Sequence, residues 1–105
     1  MHLRVSSPGI ELEDGEVDRI TKDLEKIDRR LRQFDEVYAD LRINGGPPNA
    51  VDHHVTLEIQ YGRNHLIAKA DNPDMGLALR EAREEIMRQI NDRSRGSHSD
   101  YAKGR

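Results

Sequence analysis

Apolar and polar residues alternate at the start of the chain. Met1, Leu3 and Val5 are interleaved with His2, Arg4 and Ser6, the period of a short strand. "SSPG" and "EDG" then bracket a turn region, and Glu13 or Asp14 is placed to cap a helix beginning there. Val17, Ile20, Leu24, Ile27, Leu31 and Phe34 are separated by steps of three and four. That spacing predicts an amphipathic helix ending near Phe34–Asp35. Period two returns at Val37, Ala39, Leu41 and Ile43, a strand with one buried face. "NGGPPNAVD" reads as a flexible loop. Beyond it Val55, Leu57, Ile59 and Tyr61 alternate again, and Leu66, Ala68 and Ala70 continue in phase.

Between those runs stands Gly62-Arg63, which fits a two-residue type II′ hairpin turn with glycine first. The turn sets Ile59 opposite Leu66, Leu57 opposite Ala68 and Val55 opposite Ala70, all on one face. A slip of one residue would break every pair. Asn72 is placed to cap a second helix, with Pro73 at its first position and Asp74 at the positive end of its dipole. Met75, Ala78, Leu79, Ala82, Ile86 and Ile90 form its apolar stripe. "SRGSHSDYAKGR" has no period and reads as a flexible tail, so the expected division is a domain over 1–93 and a tail over 94–105.

The predicted order is β-α-β-β-β-α, an α+β fold with a four-stranded sheet. Each strand has one apolar face and each helix one apolar stripe, so both helices belong on the same face of the sheet. The other face is left open and polar. A helical crossover makes the first two strands parallel if they are neighbours.

Composition narrows the chemistry. A chain of 105 residues with 34% hydrophobic and 35% charged residues suits one domain with a small core. There is no cysteine, which excludes a disulfide framework, a thiolate zinc site and a cysteine nucleophile. His53 and His54 are adjacent on a strand and point to opposite faces, and His65 lies far from His54 in the hairpin, so no metal site is expected. Ser6 and Ser7 have no recognisable base beside them, and "NGGPPN" lacks the Lys-Ser/Thr of a phosphate loop. Tyr38 alone is too little for a base-stacking platform. Neither a signal-peptide run nor a membrane span is visible. The expectation is a soluble, intracellular, cytoplasmic protein with no enzyme activity, no cofactor, no metal, no membrane partner and no small-molecule substrate.

Charge is where the sequence becomes specific. The net charge is −3, yet "KIDRRLRQF" places Lys26, Arg29, Arg30 and Arg32 within one short stretch. On a helical wheel Lys22, Lys26 and Arg29 lie opposite the core stripe, with Arg19 and Arg30 beside them. Two explanations stand. The pairs Asp18–Lys22, Glu25–Arg29 and Asp28–Arg32 have the acid-first spacing that stabilises helices, and the arginines complement the helix C-terminus. Alternatively the crest binds phosphate. The second helix repeats the ambiguity, with Arg80 and Arg83 on one side, Arg88 elsewhere, and Glu81, Glu84 and Glu85 between them.

Several strings resemble the ribosome hibernation promoting factors, including the ribosome-associated translation inhibitors once called sigma-factor-modulation proteins. "AKADNPDMGLALREAREEIMRQI" carries the family's "DM", its Ala-aliphatic pair at Ala78-Leu79 and its closing motif at Ile86–Ile90. "HHVTLEIQYGRNHLIAKA" is similar to the third and fourth strands, and "LEKIDRRL" to the first helix. The resemblance covers about Met1 to Arg93. It implies a double-stranded-RNA-binding-like domain of the short form, without a C-terminal dimerisation domain. It implies docking on small-subunit ribosomal RNA in the messenger and transfer RNA channel, which blocks translation and stabilises idle ribosomes under stress or in stationary phase. By position Lys26 and Arg29 match basic places of helix one, and Arg88 the arginine of the closing motif. The resulting RNA-binding set is Lys22, Lys26, Arg29, Arg30, Arg80, Arg83 and Arg88. Glu85 and Asp92 stand where relatives often carry lysine, and Gly76 where an aromatic is usual. The two acids point to the other reading, a diverged member that binds a protein partner without tight ribosome binding.

Overall fold

In a computed structural model of the chain the elements are β1 (His2–Ser6), α1 (Asp14–Arg30), β2 (Val37–Gly45), β3 (His53–Tyr61), β4 (Asn64–Asn72) and α2 (Met75–Ala102). The structure describes residues 1–8, 11–45 and 52–102, with side chains as far as Ser94. The loop expected at "NGGPPNAVD" lies in large part at 46–51, outside the described residues, while its first residues, Asn44 and Gly45, belong to β2.

The strands form one sheet in the order β1-β2-β3-β4. β1 runs parallel to β2, as a helical crossover permits, and the remaining pairs are antiparallel. The hairpin register follows the alternation: Ile59 faces Leu66, Leu57 faces Ala68 and Val55 faces Ala70. Gly62 has φ 55°, and Arg63 does not take a positive φ. A left-handed first position alone is the type II′ pattern. A β-carbon on Gly62 would also stand 3.3 Å from the Phe34 ring, so glycine meets two requirements there.

The apolar faces of β2, β3 and β4 are buried together with Ile20, Leu24 and Ile27 of α1 and Ala78, Leu79, Ala82, Ile86 and Ile90 of α2. Both helices therefore cover one face of the sheet. Burying each large aliphatic side chain contributes about 1.5–3 kcal/mol, so the sum fixes the register against a slip. The opposite face carries His2, Arg4, Tyr38, Asp40, Arg42, Glu58, Gln60, Lys69 and Asp71 in register and stays open to water.

Three boundaries differ from the expected ones. α1 ends at Arg30 rather than near Phe34. Leu31 and Phe34 keep the apolar spacing because both still turn inward, and the Phe34 ring meets Tyr61 edge-on at 4.8 Å. The cap of α2 is Asp74 rather than Asn72. Asp74 Oδ1 accepts from the Gly76 and Leu77 amides at 2.8 and 3.2 Å, while Asn72 Oδ1 accepts from the Asp74 amide at 2.8 Å and turns the chain before the helix. Pro73 precedes the helix. Lastly, α2 continues to Ala102, through the start of the tail expected at 94. Its buried stripe ends at Ile90, but a helix once nucleated gains a hydrogen bond per added residue, and no proline interrupts it. Among the described residues no helix is long and apolar enough to cross a membrane.

Candidate functional site

The outer face of α1 places Lys22, Lys26 and Arg29 in solvent, on the side away from buried Ile20, Leu24 and Ile27. The acid-first pairs that the spacing allows are not closed. Among the described residues no ion pair includes Lys22, Lys26, Arg29 or Arg32. Asp28 instead meets the Met1 amino group at 3.4 Å. The crest cations are thus hydrated and uncommitted, as phosphate-binding groups are before a ligand arrives. Arg80 is also exposed, facing Arg19 across a groove at the start of α2.

Arg30 is only half exposed, and its Nε donates to Asn91 Oδ1 of α2 at 3.3 Å. It contributes to holding the helices side by side.

Arg83 departs from the sequence expectation. It does not share an open surface with Arg80: the residue is 7% exposed, and its guanidinium bonds to Asp23 of α1, with Glu84 at 3.8 Å. The reason lies in its position. Leu79, Arg83, Ile86 and Ile90 step by four, three and four, so Arg83 sits on the buried stripe and faces α1. A charge in that place is tolerated only when paired, and Asp23 supplies the partner. Asp23 was invisible to the charge pattern, although it lies three residues after Ile20 and four before Ile27, at the edge of the α1 stripe.

Arg88 is exposed but occupied. Its Nε and one terminal nitrogen donate to the Glu85 carboxylate at 3.0 and 2.5 Å, and the other terminal nitrogen donates to Asp92 at 2.6 Å. Gln89 donates to Glu85 at 2.9 Å and to the Ile67 carbonyl of β4 at 3.0 Å. The Arg88 bonds, helped by Gln89, hold the Glu85 carboxyl down at about 2. Because the folded protein lowers this value, the bonds stabilise it above the ordinary carboxylate range and are lost only as pH falls toward about 2. At neutral pH two acids therefore surround the one cation, and the local balance is negative.

The histidines are dispersed. His53 Nδ1 lies 2.9 Å from the Pro73 carbonyl, His54 Nδ1 lies 2.5 Å from Asp71, and His65 meets Glu58. Among the described residues no three metal-ligating side chains converge.

The family model described as sigma 54 modulation protein / S30EA ribosomal protein matches residues 3–96. Among solved structures the chain is similar to the N-terminal domain of Protein Y from Thermus thermophilus, at 15% identity, with a TM-score of 0.74 over 86% of this chain and 96% of that one. It is also similar to a ribosomal subunit interface protein from Coxiella burnetii, at 15% identity and a TM-score of 0.72, over 90% and 98% of the two chains. At such identity the likeness speaks for the fold. No curated protein matches the chain in sequence. With the family model spanning nearly the whole β-α-β-β-β-α domain, the chain belongs to the sigma 54 modulation protein / S30EA ribosomal protein family, whose members are ribosome-associated and not enzymes.

Proposed function

We propose that the protein is a cytoplasmic, ribosome-binding translation inhibitor. It docks through α1 on small-subunit ribosomal RNA, in the channel that messenger and transfer RNA use, and holds ribosomes idle under stress or in stationary phase. The observation that carries this reading is the uncommitted crest of Lys22, Lys26 and Arg29 on a domain of this family. Phosphate contacts of this kind need positioned cations and no bond-making, which suits a protein that blocks by occupancy. Arg80 extends the crest. Arg30 supports it from the helix interface, Arg83 lies too deep to join it, and Arg88 is muted by Glu85 and Asp92.

Co-sedimentation with purified small subunits over a salt series tests the proposal. Counterion release gives a slope of about −0.7 to −0.9 per phosphate neutralised, so the three crest cations predict a slope of roughly −2 to −3 in log affinity against log salt. A flat salt dependence would favour the diverged member that binds a protein partner, the reading the Arg88 clamp supports.

The clamp itself yields a second expectation. Glu85→Lys with Asp92→Lys removes both acids around Arg88 and releases its guanidinium. Ribosome affinity should rise, most visibly at low salt, and the salt slope should steepen. Because α2 runs on to Ala102, Asp92 lies inside the helix and away from its end, so the helix dipole neither favours nor opposes Asp92→Lys. Equal or weaker affinity at both a low and a high salt concentration would count against docking through this side of α2.

A further inference from the structure

The open face of the sheet carries a feature unrelated to the basic crest. His2 and Tyr38 are register partners on β1 and β2, and their rings stack at 4.9 Å with 19° between the planes. The Tyr38 hydroxyl donates to Glu36 at 3.0 Å, which fixes the ring while leaving Tyr38 46% exposed. Tyr38 alone is a poor platform for a base; with His2 it becomes a preformed stack. A depression runs along that stack, lined also by Arg4, Asp40, Glu58 and Gln60. These side chains lie in two adjacent rows, His2–Tyr38–Gln60 and Arg4–Asp40–Glu58.

Their bonding states differ in a useful way. Glu58 is engaged by His65. Among the described residues Arg4, Asp40 and Gln60 make no side-chain hydrogen bond or ion pair, although Arg4 and Asp40 are register neighbours. The depression thus offers an aromatic wall, one free carboxylate, one free amide and one free guanidinium.

We propose that this depression binds a guanine base bearing a phosphate. An ionised carboxylate only accepts hydrogen bonds, and it accepts two at once. Guanine is the RNA base with two neighbouring donors on one edge, N1–H and the N2 amino group. In adenine, cytosine and uracil a donor on that edge is flanked by an acceptor, which Asp40 repels. The base stacks against the His2–Tyr38 pair, its donor edge meets Asp40, and the Gln60 amide serves the O6 side. Arg4 takes the phosphate. The site lies on the face opposite the helices, so it stands apart from docking through α1.

Titration of the full chain with GMP, followed by backbone amide shifts, tests this. Shifts should concentrate at His2, Arg4, Tyr38, Asp40 and Gln60, and GMP should bind about tenfold more tightly than AMP, CMP or UMP. Tyr38→Ala should abolish binding of all four nucleotides. Asp40→Asn should erase the preference for guanine. Both residues lie on the open face, and unchanged shifts elsewhere verify the fold of each variant. A guanine-containing single-stranded oligoribonucleotide provides the other arm: tighter binding than GMP assigns the site to a splayed-out RNA base, and equal binding assigns it to the free nucleotide. No shifts at these residues with either probe would overturn the proposal, as would equal affinity for the four nucleotides. Arginine amide moving the same signals while GMP does not would also overturn it. No ribosome enters the assay, so its failure and a failure of ribosome docking are separate results.

Discussion

Reversal of Lys26 and Arg29 to Glu is expected to abolish co-sedimentation with small subunits. The two residues stand one helical turn apart on the exposed crest of α1, with no ion partner among the described residues. Each substitution removes one attraction to phosphate and introduces one repulsion. At an effective dielectric near that of a protein surface, the combined loss is on the order of a hundredfold or more in affinity. The fold should tolerate the change. Neither side chain touches the core, and Arg29→Glu opposes the dipole at the end of α1 by no more than about 1 kcal/mol. Thermal unfolding followed by circular dichroism, beside the sedimentation assay, separates the two effects. Unchanged sedimentation of a folded double variant would reduce the crest to a solvated helix face.

The largest effect on stability is expected at Asp23. Asp23→Ala strands the Arg83 guanidinium, whose side chain is 8% exposed, between the two helices. Removing one member of a fully buried pair costs about 3–5 kcal/mol. Asp23 keeps 22% of its surface, and Glu84 lies 3.8 Å from the abandoned guanidinium, so a loss of about 2–3 kcal/mol is expected here. For a domain of this size that lowers the melting temperature by roughly 10 °C. Arg83→Met with Asp23→Leu replaces the pair by apolar bodies and should recover most of the loss. A melting temperature that Asp23→Ala leaves unmoved would show that solvent already screens the pair.

What the sequence discloses depends on whether a residue's role is local. The hairpin register was legible because alternation, turn chemistry and burial agree at Ile59, Gly62 and Leu66. The exposure of Lys22, Lys26 and Arg29 followed from periodicity alone. Arg83 was misplaced because its charge was weighed above its position on the Leu79–Ile86 stripe. Its partner Asp23 lies on another helix, and a single sequence gives no sign of which acid reaches it. The muting of Arg88 was readable in principle, since Glu85 and Asp92 stand three residues before it and four after. The continuation of α2 was not, because apolar periodicity reports burial, and a helix can outrun the surface it packs on. The stack of His2 on Tyr38 depended on the parallel register of β1, which local pattern does not set.

That parallel register also orders events in time. β3 and β4 are joined by two residues, and α2 comes directly after β4, so the hairpin and α2 close over short stretches of chain. β1 has only five residues and pairs with β2 across the whole of α1, His2 meeting Tyr38 and Ser6 meeting Arg42. Long closures come late, because their entropy must be lost before the contacts return anything. The short edge strand is thus the last to join the sheet and the first to leave it. His2 travels with β1, so the aromatic stack on the open face assembles only when the final strand docks. Any ligand of that face would then bind the fully folded chain alone, and binding there would hold the most weakly tethered strand in place.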